Sequence, residues 1–177
     1  MVVIRSHETS SSTPYDVFLS FRGEDIRYTF IDHLYTALVQ HGFRTFRDNN
    51  EMQKGEYLKS ELEKAIPQSK SSIIVISENY ASSTWCLDEL VIILERRRTS
   101  GHVVVPVFYH VEPSEVRKQT GRTGDAFAKY EKQCEEEMDS EGKRKWMENI
   151  KWWRSALAEV ADLIGEHLKD HKVDGYT

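Results

Sequence analysis

The acidic pair Asp88 and Glu89 is the clearest candidate for chemistry in this sequence. Residues 82–84, two serines and a threonine, are good N-cap residues, so we predict that a helix begins just after them with both acids in its first turns. On that helix Glu89 lies nearly opposite the leucine stripe and should face solvent or a ligand crevice. An acid near a helix start often only complements the helix dipole, for roughly 0.3–1 kcal/mol. Position alone favours that simpler role for Glu89. Asp88 is the alternative candidate, both for stabilising the helix dipole and for chemistry.

Short polar segments that follow apolar runs predict where a ligand would bind. These segments are residues 21–25, 47–48 and 77–78. In an open parallel sheet, ligands bind beyond the carboxyl ends of the strands, at the point where the strand order reverses. The start of the helix that carries Glu89 should overhang the same crevice.

The apolar runs themselves predict buried strands. Residues 17–19, 73–76 and 103–109 are largely continuous rather than alternating in hydrophobicity, which is typical of strands covered on both faces. A shorter strand at 43–46 follows Gly42, a glycine suited to the left-handed backbone at a helix end. Helical spacing between the strands is set by apolar residues at Phe30, Leu34, Leu38, Leu58, Leu62, Ile66, Leu87, Leu90, Val91 and Leu94.

The alternation of these elements predicts an α/β fold. We expect a flavodoxin-like, doubly wound parallel sheet of about five strands, with helices on both faces. Residues 125–145 are polar and predicted to be helical, a second helical pattern runs over 146–164, and an edge strand is placed at 166–168. We also expect a disordered leader at 1–13, one domain at 14–170 and a polar tail at 171–177.

Composition excludes several classes of protein. No apolar stretch approaches the roughly 20 residues of a membrane span, so we expect a soluble protein with no membrane partner. A formal net charge of −5 argues against nucleic acid as a partner. The two cysteines, Cys86 and Cys134, have neither zinc-site nor disulfide-framework spacing, which favours a reducing compartment. His167 and His171 are spaced like metal ligands but lack a third ligand, so no metal site is predicted.

Several long motifs carry a resemblance to a known family. They are YDVFLSFRGED at 15–25, TFRD at 45–48 and SENYASSTWCLDEL at 77–90. Shorter matches continue the pattern: PVFY at 106–109, VEPS at 111–114 and the segment 116–121. In this order the motifs closely resemble the TIR domain of plant intracellular immune receptors, from residue 15 to about residue 168.

The resemblance implies an NAD(P)+ glycohydrolase that is active when it self-associates. Its products would be nicotinamide and ADP-ribose-type nucleotides, including cyclic ones, which signal in immunity and cell death. Glu89 matches the catalytic glutamate, and segment 48–56 matches a mobile loop that rearranges on assembly. The substrate pocket would include Phe21, Arg22, Gly23, Glu24, Asp48, Lys54, Gly55, Ser77 and Trp85, and the self-association surface would include Asp32 and His33.

The implied reaction suits a single carboxylate. Ordinary glycoside hydrolysis generally needs a second acid, which protonates the leaving group. Nicotinamide bound as a pyridinium departs as a neutral molecule, so the enzyme chiefly needs a negative charge near the developing ribosyl cation and a crevice that holds the ring. No cofactor is implied, because NAD+ or NADP+ is the substrate.

Two departures from the family pattern bear on the partners. Asp32 precedes His33 where the family often has serine, which should weaken or alter self-association. The chain also ends at Thr177, where such domains normally continue into another helix, so we expect a fragment of a longer receptor. The implied partners are other TIR domains and the nucleotide-binding and repeat modules of that receptor, in the cytoplasm and also in the nucleus.

Three other functions stay open at this point. The resemblance also covers TIR domains that act as non-enzymatic oligomerisation scaffolds. A phospho-acceptor receiver shares the topology but needs an aspartate at the end of the third strand, where this chain has Ser77. Nucleic-acid processing is implied for some assembled plant TIR domains, but the net charge of this chain disfavours it.

Overall fold

The structure is a computed structural model that describes residues 13–47, 60 and 63–163 of the chain. Its strands form one parallel sheet of β1 (Tyr15–Phe21), β2 (Thr45–Arg47), β3 (Ser69–Ile76) and β4 (Val103–Phe108). The strand order is β2-β1-β3-β4, so the direction of winding reverses between β1 and β3. This order confirms the predicted doubly wound sheet. The strand predicted at 166–168 lies outside the described residues.

Helices connect the strands. Between β1 and β2 lie α1 (Gly23–Ile26), a π-helical turn (Arg27–Ile31) and α2 (Asp32–Gln40). Between β3 and β4 lie a 3-10 turn (Tyr80–Ser82) and α3 (Thr84–Ser100). The described chain after β4 forms α4 (Pro113–Lys118), α5 (Gly121–Glu137) and α6 (Ser140–Asp162). Residues 63–65 are also helical, and the predicted helix positions Leu58 and Leu62 lie outside the described residues.

Side chains of the sheet divide between two hydrophobic clusters, one on each face. On β1, Phe18 packs in the cluster that includes α3, α5 and α6, whereas Leu19 and Phe21 pack with Ile26 and Ile31 of the chain between β1 and α2. Successive strand residues point to opposite faces, so this division means that both faces of β1 are covered. Helices on both sides of the sheet were predicted and are confirmed.

β4 departs from the prediction of a strand buried on both faces. Val104 is buried, but Val103 and Val105 are 57% and 44% exposed. β1 and β3 have a strand on each side, whereas β4 lies at the edge of the described sheet. The apolar run therefore predicts the strand correctly, but the predicted burial was wrong for these two valines.

Capping residues set the helix boundaries. Gly42 follows α2 with a φ of 85°, a conformation that glycine adopts without strain, so its predicted role at the helix end is confirmed. The helix predicted to run through 125–145 is interrupted, because α5 ends at Glu137. Asp139 then caps α6 by accepting a 2.8 Å hydrogen bond from the Gly142 N–H.

Candidate functional site

The carboxyl ends of β1, β3 and β4 border a cavity of about 360 Å³. It lies beside the reversal between β1 and β3, which is where a parallel sheet is expected to bind a ligand. The segments that follow these strands line it, with Asp25, Ile26, Ser77, Glu78, Asn79, Tyr109 and His110. Glu89 does not line this cavity.

Asp25 joins two of the predicted pocket residues. Its Oδ1 accepts a 3.0 Å hydrogen bond from Arg22 Nη1, and its Oδ2 accepts a 2.7 Å hydrogen bond from Ser77 Oγ. Arg22 directly follows β1 and Ser77 directly follows β3, so the carboxylate bridges the two strand ends. All three side chains are largely buried, and hydrogen bonds to an ionised group are stronger than neutral ones. The bridge therefore fixes the orientation of Arg22 and Ser77.

The sequence places Asp25 in the predicted ligand-binding segment 21–25 but gives it no role of its own. Its spacing of three residues from Arg22, which favours contact within one helical turn, was the available signal. No local pattern connects it to Ser77, which lies 52 residues away along the chain. The bridge exists because β1 and β3 are neighbours in the sheet.

Glu89 lies in the second turn of α3 and is only 2% exposed. The predicted helix start is confirmed, since Ser83 is the N-cap and its Oγ accepts a 3.2 Å hydrogen bond from the Cys86 N–H. Of the two predicted surroundings of Glu89, solvent or a ligand crevice, this burial excludes solvent. A wheel drawn for one helix ignores its neighbours, and α3 packs against β1, β4 and α6. Fully buried glutamates are rare unless they are paired or functional.

The first turn of α3 is fixed to the end of β1. The Cys86 thiol donates a 3.5 Å hydrogen bond to the Phe21 carbonyl oxygen, and the Tyr80 hydroxyl donates one of 3.1 Å to the Cys86 carbonyl. Ser20 Oγ on β1 lies 3.0 Å from the same hydroxyl oxygen. These buried contacts place the helix that carries Glu89 beside the strand end that leads into Arg22.

Asp88, the alternative to Glu89 as the candidate for chemistry, joins α3 to α6. Its Oδ1 accepts a 2.9 Å hydrogen bond from Trp153 Nε1 on α6. Trp153 is buried, and a buried indole N–H without an acceptor would destabilise the fold. The two adjacent acids thus differ in role: Asp88 joins α3 to α6, and Glu89 is the candidate for chemistry.

The other predicted pocket residues occupy several environments. Phe21 is the last residue of β1 rather than part of a loop, and its side chain is buried in the core with the Arg27 guanidinium 5.3 Å from its ring centroid. Gly23 begins α1, and Glu24 follows it with a side chain outside the described part. Trp85 is partly buried at the start of α3. Three predicted positions lie outside the described residues, namely Asp48, Lys54 and Gly55.

The predicted self-association positions begin α2. Asp32 pairs with Arg47 of β2, with 2.5 Å between Oδ1 and Nη1, and the Arg47 guanidinium lies 4.5 Å from the Tyr35 ring centroid. His33 is exposed. Asp32 is therefore held by a contact within the domain, whereas His33 is accessible to another protein.

Tyr130 of α5 supports the turn that precedes α3. Its hydroxyl donates a 2.7 Å hydrogen bond to the Ala81 carbonyl. Burial is the main cause that raises the pKa of Tyr130 to about 12. The hydroxyl therefore stays protonated at neutral pH and remains a donor.

The described residues contain neither a metal-ligand group nor a membrane-spanning helix. No group of three His, Cys, Asp or Glu side chains in this part of the chain could hold a metal ion. No helix there is long and apolar enough to cross a membrane. His167 and His171 lie outside the described part.

A comparison with protein families identifies the family to which this domain belongs. The model of the TIR domain family matches residues 14–175. The chain belongs to the TIR domain family. The parallel sheet, the buried glutamate of α3 and the strand-end cavity are therefore features of a TIR domain.

This TIR domain is similar to the corresponding part of plant disease resistance proteins. It is 53% identical over 173 residues to Disease resistance protein RPV1 of Vitis rotundifolia, covering 94% of this chain and 11% of that protein. It is 43% identical over 169 residues to TMV resistance protein N of Nicotiana glutinosa, covering 96% of this chain and 14% of that protein. The chain spans between a tenth and a seventh of the length of these two relatives.

A solved structure also matches this TIR domain. It contains the TIR domains of the activated Roq1 resistosome directly recognizing the pathogen effector XopQ. The match has a TM-score of 0.71 at 44% sequence identity, and covers 88% of this chain and 98% of that chain. The resemblance to TIR domains of plant immune receptors is thereby confirmed.

Proposed function

We propose that this TIR domain hydrolyses NAD+ or NADP+ in a self-associated state and so signals in plant immunity and cell death. Glu89 is the catalytic residue. The observation that carries the proposal is a glutamate with 2% exposure on a helix whose first turn is bonded to the end of β1. Removing a carboxylate from water is unfavourable, so a buried one needs a reason in packing or in function. Glu89 combines this burial with a place beside the end of β1, an arrangement that is common for catalytic carboxylates.

The reaction breaks the bond between the nicotinamide nitrogen and C1′ of the ribose. The bonding electron pair goes to the nicotinamide, which leaves as a neutral molecule. Water adds to C1′ and releases a proton, so NAD+ gives nicotinamide, ADP-ribose and a proton, and NADP+ gives the 2′-phosphate of ADP-ribose in place of ADP-ribose. A nucleophile within the same dinucleotide, in place of water, gives a cyclic product. The Glu89 carboxylate stabilises the positive charge that develops on the ribose.

Arg22 and Ser77 bind the polar part of the dinucleotide in this proposal. Both follow strand ends at the crevice, and Asp25 holds them in place. A guanidinium presents several N–H donors in a planar fork, so Arg22 can contact a phosphate while it keeps its bond to Asp25. Trp85 lies at the start of α3, about one helical turn before Glu89. In this proposal both residues contact the same ligand.

Self-association completes the site. The matched Roq1 structure is a resistosome that contains TIR domains, which supports assembly for this chain as well. His33 is exposed at the start of α2, and the neighbouring Asp32 pairs with Arg47. Arg47 directly precedes Asp48 in the sequence, so its pair with Asp32 joins the start of α2 to the end of β2. Within a longer receptor, the nucleotide-binding and repeat modules would control this assembly in the cytoplasm or nucleus.

The test is nicotinamide release from NAD+ and from NADP+ by concentrated protein in a crowding agent. Wild type is compared with Glu89→Ala and with Glu95→Ala, since Glu95 is an exposed glutamate on the same helix. We expect Glu89→Ala to lower turnover by about 10²-fold or more, which is the usual effect of losing transition-state electrostatics. Glu95→Ala should retain wild-type turnover. Circular dichroism checks that all three proteins are folded.

A non-enzymatic oligomerisation scaffold is the second candidate function. The cavity at the strand ends is not lined by Glu89, which is the observation that favours it. A wild-type domain that assembles but releases no nicotinamide, also when placed in a full-length receptor, would support the scaffold. Equal turnover by wild type and Glu89→Ala would remove Glu89 from the mechanism.

A further inference from the structure

We infer that Asp25 is a positioning residue of this site, which holds Arg22 and Ser77 in the orientation that binds the dinucleotide. The ligand in this inference comes from the proposed function, on which the inference rests. The positioning itself is argued from the contacts of Asp25. Asp25 has no assigned role in the pocket predicted above. Its two carboxylate oxygens contact one predicted pocket residue each.

The contacts of Asp25 join two separate parts of the sheet. On one side, two hydrogen bonds join Asp25 to Arg22. The backbone N–H of Asp25 donates one of 3.3 Å to the Arg22 carbonyl, and Arg22 Nη1 donates one of 3.0 Å to Asp25 Oδ1. On the other side, Ser77 Oγ donates its hydrogen bond across the reversal between β1 and β3. Ser77 lines the cavity and Arg22 lies beside it, and rotation of either side chain away from Asp25 would break a bond to an ionised group.

The charge of Asp25 argues for positioning rather than for direct binding. Asp25 lines the cavity beside the strand ends. A dinucleotide carries negative phosphates, so a carboxylate in such a cavity disfavours the ligand unless a cation neutralises it. The Arg22 guanidinium is that cation, and Ser77 adds a hydrogen bond. The carboxylate therefore serves the site through the order that it imposes on its two neighbours.

Asp16, on β1, is a paired carboxylate with a structural role and serves as a comparison for Asp25 on α1. It lies at the amino end of β1, where its carboxylate accepts hydrogen bonds from Arg44 Nε at 3.2 Å and Nη2 at 3.1 Å. It does not line the cavity. Asp16 and Asp25 are thus two paired carboxylates at opposite ends of the β1 region, and only Asp25 faces the candidate site. Asp16→Asn is the matched control.

The first measurement separates KM from kcat for nicotinamide release. Asp25→Ala should raise KM on the order of tenfold to a hundredfold, the range expected when a hydrogen bond to a charged group is lost, while kcat per folded molecule changes little. Asp25→Asn keeps the size of the side chain and one oxygen, so its KM should rise less. A purely structural role would instead lower the number of active molecules, which reduces kcat at an unchanged KM. Asp16→Asn should leave KM at its wild-type value.

Ser77→Ala tests whether Asp25 acts through its neighbour. If it does, the rise in KM for the double variant Asp25→Ala/Ser77→Ala will be smaller than the product of the two single effects. A rise in KM for the double variant that equals or exceeds this product would mean that the two residues act independently, which contradicts the inference for Ser77.

A second measurement does not depend on activity. Side-chain NMR of ¹⁵N-arginine-labelled protein, with the Arg22 signal assigned from Arg22→Lys, reports the order of the guanidinium without ligand. We expect a restrained Arg22 signal in wild type, a mobile one in Asp25→Ala and an unchanged one in Asp16→Asn. A restrained Arg22 in a wild type that never releases nicotinamide would overturn the proposed function and leave the positioning role intact. Equal Arg22 signals in wild type and both Asp25 variants, or a fall in kcat with KM unchanged, would overturn the inference.

Discussion

The Cys86 thiol lies 3.5 Å from the Phe21 carbonyl oxygen and donates a hydrogen bond to it, which joins the first turn of α3 to the last residue of β1. Cys86 has no exposed surface. Cys134 is buried as well, with its thiol 3.7 Å from the Lys143 carbonyl oxygen. Both thiols are shielded by packing, and buried cysteines are generally inert to reagents.

We therefore expect neither cysteine to react with Ellman's reagent while the domain is folded. Both should react once guanidinium unfolds it, which absorbance measures directly. Cys134→Ser, which leaves Cys86 as the remaining thiol, assigns the signal. Rapid labelling of Cys86 in this folded variant would contradict the packing of α3 against β1.

Asp88→Ala should destabilise the domain. It leaves the buried Trp153 indole N–H without its acceptor, which costs about 1–3 kcal/mol of unfolding free energy. Urea unfolding followed by tryptophan fluorescence measures the loss, and Asp88→Asn, which keeps an acceptor, should lose less. Nicotinamide release per folded molecule should stay at the wild-type level. An Asp88→Ala protein as stable as wild type would contradict the role of Asp88 in joining α3 to α6.

His33→Ala should weaken self-association without changing stability, because His33 is exposed. Asp32→Ala should instead lower the unfolding free energy by about 0.2–1 kcal/mol, since it breaks a partly exposed ion pair with Arg47. Sedimentation velocity measures assembly, and urea unfolding measures stability. If Asp32→Ala weakened assembly more than His33→Ala did, the contact with Arg47 would not be the main role of Asp32.

Local signals in the sequence predicted most of the fold. Continuous apolar residues gave β1 and β3, and the cap at Ser83 and the glycine at position 42 fixed two helix ends, because these features depend on neighbours along the chain. The exposure of Val103 and Val105 was missed, since it depends on what covers one face of an edge strand.

The candidate site was predicted less completely, because its contacts join distant parts of the chain. Asp88 and Glu89 are adjacent and chemically alike, and the contact that gives Asp88 a structural role is with Trp153, 65 residues further along. The bridge from Asp25 to Ser77 likewise spans 52 residues. The resemblance to TIR domains supplied the predicted pocket residues, but it did not say what holds them in place.

His102 gives the domain a dependence on pH. His102 directly precedes β4, its ring is 6% exposed, and its Nε2 lies 2.7 Å from Ser72 Oγ on β3. Burial, and then repulsion by the Arg96 guanidinium, lower the pKa of His102 below its usual value of 6.5, although a hydrogen bond with the Ser69 backbone acts in the opposite direction. The folded protein therefore keeps this ring neutral at a pH where the unfolded chain has begun to protonate it.

Stability should fall as the pH falls through 6.5, because the unfolded state then binds more protons than the folded state. Above that pH the ring is neutral in both states, and its contribution to the slope disappears. Urea unfolding at about pH 7.5 and about pH 5.5 measures the difference. His102→Gln, which keeps a polar group near Ser72, should reduce the difference, whereas His110→Gln at an exposed histidine should retain it. Equal pH dependence in wild type and His102→Gln would mean that other groups cause the loss of stability.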